Sequence, residues 1–126
     1  MGVQYSKAAG FETIAITHSK DKVELAHELG ADSVVSDAQQ LKQAGRANVI
    51  LATTNSYKAA ADTLKGLRPD GRLVLIGISD EPFVIANGFE VMGNRVVLKL
   101  LAGQSDAFCK YVPAWLRGSL AVIMVL

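Results

Sequence analysis

Residues 2–30 read GVQYSKAAGFETIAITHSKDKVELAHELG, and the spacing within them predicts a helix, a strand and a second helix in that order. Val3, Lys7 and Ala8 stand at helical steps, and Gly10 follows where a glycine closes a helix in the left-handed region. Residues 12–17 carry the β-branched run Thr-Ile-Ala-Ile-Thr between polar neighbours, the pattern of a strand buried on both faces. A helix then opens at Ser19 and Asp21, runs through Lys22, Glu24, Leu25, Ala26, Glu28 and Leu29, and ends at Gly30. Its apolar stripe is Val23, Ala26 and Leu29.

The same alternation continues downstream. Residues 33–36 form a short strand, 38–43 a helical turn, and 47–53, Ala-Asn-Val-Ile-Leu-Ala-Thr, a strong apolar strand. Asn55 or Ser56 caps the next helix, which carries Tyr57, Ala60, Ala61 and Leu64 and stops before the turn Arg68-Pro69-Asp70-Gly71. Residues 72–78, Arg-Leu-Val-Leu-Ile-Gly-Ile, are the clearest parallel-type strand, followed by a loop at 79–87 and another strand near 95–101. Strands alternating with helices predict an α/β fold, a doubly wound and mostly parallel sheet covered on both faces. From residue 103 the character changes. Residues 103–116 are helical up to Pro113, Gly118 and Ser119 break the pattern, and 120–126, Leu-Ala-Val-Ile-Met-Val-Leu, are uniformly apolar.

A chain of 126 residues fits one domain, half of it apolar and a fifth charged, enough to bury a real core. Thirteen basic and twelve acidic residues nearly cancel, so no net field favours nucleic acid or a membrane surface, and a small ligand is the expected partner. The single cysteine, Cys109, makes neither an internal disulfide nor a thiolate zinc site. A reducing, cytoplasmic location is expected, with no signal peptide and no run approaching the ~20 apolar residues that span a bilayer.

Three blocks, VQYSKAAG, HSKDKVELAHELGAD, and DTLKGLRPDGRLVLIGI followed by PFVIANGFE, give the chain its kinship. Over about residues 2–102 it resembles the nucleotide-binding domain of the medium-chain, zinc-type alcohol dehydrogenases, especially their cinnamyl alcohol dehydrogenase-like branch. The resemblance implies a Rossmann-like sheet lacking the usual first strand and its glycine-rich phosphate turn, which would precede Met1. It divides the chain into a partial dinucleotide-binding domain at 1–102 and a divergent tail at 103–126. In the family a zinc ion on another domain serves hydride transfer; none of its ligand motifs occurs here, so no catalytic or metal residue is carried over and no zinc is expected. The implied activity is that of an NADP-binding fragment of an alcohol or aldehyde oxidoreductase, not catalytic alone. The alternatives are a stand-alone nucleotide-binding regulatory module and a ligand-free interaction domain.

In such a sheet the ligand lies at the carboxyl ends of the strands. Those ends are Thr17-His18-Ser19, Ala52-Thr53-Thr54 and Gly77-Ile78-Ser79. An acidic residue after the second strand selects NAD because it repels a 2′-phosphate. Thr17 stands there instead, and with His18, Ser19, Lys20 and Lys22 it supplies the hydroxyl groups and cations that suit NADP. The competing reading is that Ser19 caps a helix while Lys20, Asp21 and Lys22 form its solvated first turn. Thr53, Thr54 and Asn55 either contact adenine or ribose or cap the next helix, and Gly77 either admits a nicotinamide ring or makes a tight strand end. Without the glycine-rich loop, binding would be weak.

The strand order of this fold is 3-2-1-4-5-6, so a vacant first position leaves two central strands with open edges. Residues 120–126 have the composition and length to fill it, from the same chain or a neighbouring copy. The strand from Val96 to Leu101 is expected at the sheet edge, where the relatives join two subunits, implying a homodimer.

Overall fold

Odd and even positions of the central strands feed two separate cores. Ile14, Ile16, Ile50, Ala52, Leu73 and Leu75 point to one side of the sheet, and Ala15, Val49, Leu51 and Val74 to the other. Such strands have no solvent-facing side, which is why their sequence reads as a continuous apolar run. The computed structural model describes residues 2–89, 92, 97–100 and 121–125. In chain order the elements are α1 (Gly2–Ala8), β1 (Glu12–Ile16), α2 (Lys20–Glu28), β2 (Ser33–Val35), α3 (Ala38–Gln43), β3 (Ala47–Ala52), α4 (Tyr57–Asp62), β4 (Leu67–Leu75), β5 (Val97–Leu100) and β6 (Ala121–Val125). A 3-10 turn, Thr63–Gly66, joins α4 to β4.

Helices cover both faces. Leu41 of α3 and Ala60 of α4 complete the first core, and Val3 of α1 and Ala26 of α2 complete the second. The sheet order is β2-β1-β6-β3-β4-β5, and every described strand pair is parallel. The chain is thus an α/β doubly wound sheet of Rossmann type. Matched to the 3-2-1-4-5-6 order of that fold, β6 stands in the first-strand position, between the strands numbered second and fourth. It is in register with β1 from Glu12↔Ala121 to Ile16↔Val125, and with β3 from Val49↔Val122 to Ala52↔Val125. β5 lies at the edge beside β4.

The structure refines several expected boundaries. Helix α1 buries Val3 and Ser6 and exposes Lys7 and Ala8, and Lys7 pairs with Asp32 across the loop before β2. Helix α2 closes as expected: Gly30 adopts φ +106, a left-handed conformation natural to glycine, and Ala31 N–H returns to Ala26 O at 3.0 Å. Leu64 belongs to the 3-10 turn and not to α4. Strand β4 starts at Leu67, earlier than the turn signal at 68–71 suggests. Register jumps from Ala47↔Leu67 to Val49↔Arg72, so Arg68, Pro69, Asp70 and Gly71 form a bulged excursion within the strand. Asp70 takes φ 61 at its crest. Arg68 ties the excursion down by donating from Nε to Gly45 O at 2.9 Å and from a terminal nitrogen to Asn48 Oδ1 at 3.1 Å. The helix expected at 103–116, Cys109, Val96 and Leu101 lie outside the described residues.

Candidate functional site

Because the strands are parallel, their carboxyl ends share one edge. Ile16, Val125, Ala52 and Leu75 make one row across β1, β6, β3 and β4. The residues that follow β1, β3 and β4 form a single rim. Neighbouring strands lie about 4.8 Å apart, so Thr17 and Thr53, separated by β6, are roughly 10 Å apart along it.

At the first station, Thr17 is only 4% exposed; its backbone N–H reaches Val35 O at 3.0 Å, and its hydroxyl accepts from Ser19 N–H at 3.2 Å. A hydroxyl that accepts this bond still has its own hydrogen to donate. Ser19 has the extended backbone of an N-cap, φ −89 and ψ 124, yet its side chain makes no capping hydrogen bond. Sequence reasoning offered capping as the plain explanation of Ser19, and in the structure the hydroxyl is not used that way. Lys20 and Lys22 are exposed on the first turn of α2, beside the amide groups that this turn leaves without helical partners. His18 is exposed as well.

Asp37, which the sequence reading passed over, lies close enough to His18 for their charges to interact. Its carboxylate accepts from Gln40 N–H at 2.8 Å and caps α3. That bond first, and after it those from the Ser36 hydroxyl and Gln39 N–H and the charge of His18, hold its pKa below the ordinary carboxylate value, although desolvation, second only to the Gln40 bond, opposes them. The available signal was the pair Ser36-Asp37 directly after a strand, an N-cap pattern that also puts a carboxylate on the rim.

The second and third stations touch. Thr54 is half-buried and its hydroxyl accepts from Ser56 N–H at 3.1 Å, while the Ser56 hydroxyl accepts from Ala59 N–H at 3.4 Å and caps α4. Thr53 is exposed. Beyond β4, Ile76 and Gly77 N–H both turn to Ala52 O, at 2.9 and 3.2 Å. A Cβ on Gly77 would stand 2.7 Å from the Thr54 carbonyl carbon, nearer still to its oxygen, and 3.1 Å from Thr53 O. The tight strand end is therefore sufficient reason for glycine here. Ile78 projects from the rim, 72% exposed. Tyr57 and Phe83 close this end as an edge-to-face pair, centroids 6.0 Å apart at 75°.

Among the described residues no three His, Cys, Asp or Glu side chains converge to hold a metal, so they do not fit a zinc ion. A shallow hollow of about 350 Å³, lined by Lys7, Gly10, Phe11, Glu12 and Asp32, sits at the amino ends of β1 and β2, the edge opposite the rim. No helix among the described residues is long and apolar enough to cross a membrane.

The sequence model of the zinc-binding dehydrogenases matches residues 1–116, a longer stretch than the resemblance over residues 2–102. An alcohol dehydrogenase of Geobacillus stearothermophilus is 32% identical over 108 residues, 76% of this chain and 32% of that protein. Cinnamyl alcohol dehydrogenase 5 of Arabidopsis thaliana is 31% identical over 120 residues, 87% of this chain and 34% of that protein. The chain thus spans about a third of these curated relatives. In fold it is similar to a short-chain alcohol dehydrogenase from E. coli CFT073 solved with NADH, with a TM-score of 0.72 at 20% identity, covering 92% of this chain and 36% of that one.

Proposed function

From the premise that this chain belongs to the zinc-binding dehydrogenase family, we propose that it is the NADP-binding part of an alcohol or aldehyde oxidoreductase, holding the dinucleotide but not performing hydride transfer by itself. The observation that carries the reading is the rim, where Thr17, Ser19 and the first turn of α2 meet at the carboxyl end of a parallel strand, with Thr53 and Thr54 two strand positions along the same edge. A buried hydroxyl, an uncapping serine and two exposed ammonium groups suit a dianionic 2′-phosphate, which an acidic residue at Thr17 would repel. Lys20 and Lys22, both exposed on the first turn of α2, carry the cationic role. Gly77 and Ile78 border the nicotinamide end. Adenine or ribose rests against Thr53 and Thr54.

Residues 1–102 act as a partial dinucleotide domain and 103–126 as a divergent tail whose strand β6 stands in for the fold's first strand. With one cysteine in the chain, the protein works in the reducing cytoplasm. It pairs into a homodimer through edge strand β5, with exposed Val84, Ile85, Phe89 and Met92 in the preceding segment as further apolar surface. Those exposed side chains also favour the second reading, an interaction domain without a ligand.

Calorimetric titration separates the two. Saturable binding of NADPH, tighter than NADH and without NADPH oxidation when an aldehyde is added, is the expected result. The absence of saturable binding by NADPH, NADH and adenosine phosphates would leave the interaction domain standing, and equal affinities would remove the NADP assignment. Ser19→Asp sharpens the test. Aspartate is as good an N-cap as serine, so stability is expected to hold, whereas NADPH affinity is expected to fall about tenfold relative to NADH by charge repulsion.

A further inference from the structure

No described pairing joins β1 to β3 directly; β6 alone links the pair β2-β1 to the trio β3-β4-β5. With β6 withdrawn, two central strands would each present an open row of backbone donors and acceptors, over five residues of β1 and four of β3. Rows of that kind recruit a strand. The slot specifies its occupant by direction, parallel on both sides, and by register, Ile14 and Ile50 both aligned with Ile123.

We propose that this slot accepts β6 from a second copy of the chain as well as from its own, giving a strand-exchanged dimer in which each copy completes the other's sheet. An identical segment reproduces every pairing in both rows, so exchange leaves the sheet's hydrogen bonds unchanged and alters only how the strand is tethered. The tether permits it. From Leu100, at the carboxyl end of β5, the chain must return to Ala121 at the amino end of β6, three strand positions away. That path is roughly 20–25 Å from strand spacing and rise, while ~20 residues extend to ~65 Å. A linkage of this many residues gives the chain's own strand an effective concentration of only about millimolar, which a concentrated second copy matches.

The test uses the full chain in a Cys109→Ser background. Ala15 and Met124 are register partners, at a separation that a disulfide bridges. One preparation carries Ala15→Cys and the other Met124→Cys; they are denatured, mixed, refolded together at about millimolar concentration and oxidised. A reducible product of twice the chain mass, formed only when both variants are present and reduced several-fold by tenfold dilution before oxidation, is expected. A chain carrying both cysteines is the control and should close internally. If it closes while the mixture never cross-links, the exchange is refuted. If neither this pair nor the second pair, Ile16→Cys with Val125→Cys, closes in one chain, β6 does not occupy the slot and the proposal falls.

Discussion

Gly77 has less freedom than its place at a strand end suggests. Its hydrogen faces the Thr53 and Thr54 carbonyls, so Gly77→Ala must push apart the two loops that follow β3 and β4. Overpacking of this kind costs about 1–3 kcal/mol, and a lowered urea midpoint at unchanged slope is the expected result. Asp32 acts at the opposite edge. The Lys7 ammonium first, and then Thr13 N–H at 2.8 Å, hold its carboxyl below the ordinary value of 3.8. The folded state therefore binds fewer protons here than the unfolded chain. The contribution is complete above the unfolded value near 3.8 and is lost as pH falls through the lower folded value. Being exposed, the pair contributes about 0–1 kcal/mol. Asp32→Asn is expected to lower stability slightly at pH 7 and to flatten its decline below pH 4, as read from urea midpoints across that range. Residue types at these positions were legible in the sequence, but their partners were not, because Lys7 and Asp32, or Gly77 and Thr54, meet only after strands have been placed side by side.

Short helices in this chain are held by what they cover. α3 has six residues, too few for a stable isolated helix, and is fastened by the Asp37 cap and by Leu41, which is fully buried in the first core. Leu41→Ala would leave a cavity beneath α3 and beside the 3-10 turn. A loss of about 2–5 kcal/mol is expected in chemical denaturation, with α3 amides the first to lose hydrogen-exchange protection. The helical turn at 38–43 was readable from the sequence, while its Asp37 cap was passed over. The start of β4 was not readable, because the Arg68-Pro69-Asp70-Gly71 signal marks a turn in any sequence, and only its pairing with β3 makes that turn a bulge inside a strand.

For the molecule as a whole, the sheet depends on one segment. β6 stands between β1 and β3, so its backbone serves two ladders at once. Proline has no amide hydrogen and is not tolerated in a central strand, so Ile123→Pro is expected to abolish the cooperative thermal transition followed by circular dichroism. The same dependence predicts that β6 amides exchange as slowly as those of β1 and β3 in the unsubstituted chain.

Local chemistry alone determined the succession of helices and strands, the two-sided burial of the runs at 13–16 and 49–52, and the hydroxyl and lysine residues that follow β1. Each depends on neighbours within a few positions: periodicity, caps and β-branching. Tertiary structure decided the order of the strands, the registers that bring Thr17, Thr53 and Gly77 to one rim, and the use made of each hydroxyl there. Thr17 and Thr54 hold their own turns, Ser19 leaves its cap unmade, and Gly77 meets the Thr54 carbonyl. The rim is a meeting of residues remote in sequence, and it arises only when parallel strands are aligned, because a strand's own pattern fixes which faces it buries and not which strand lies beside it.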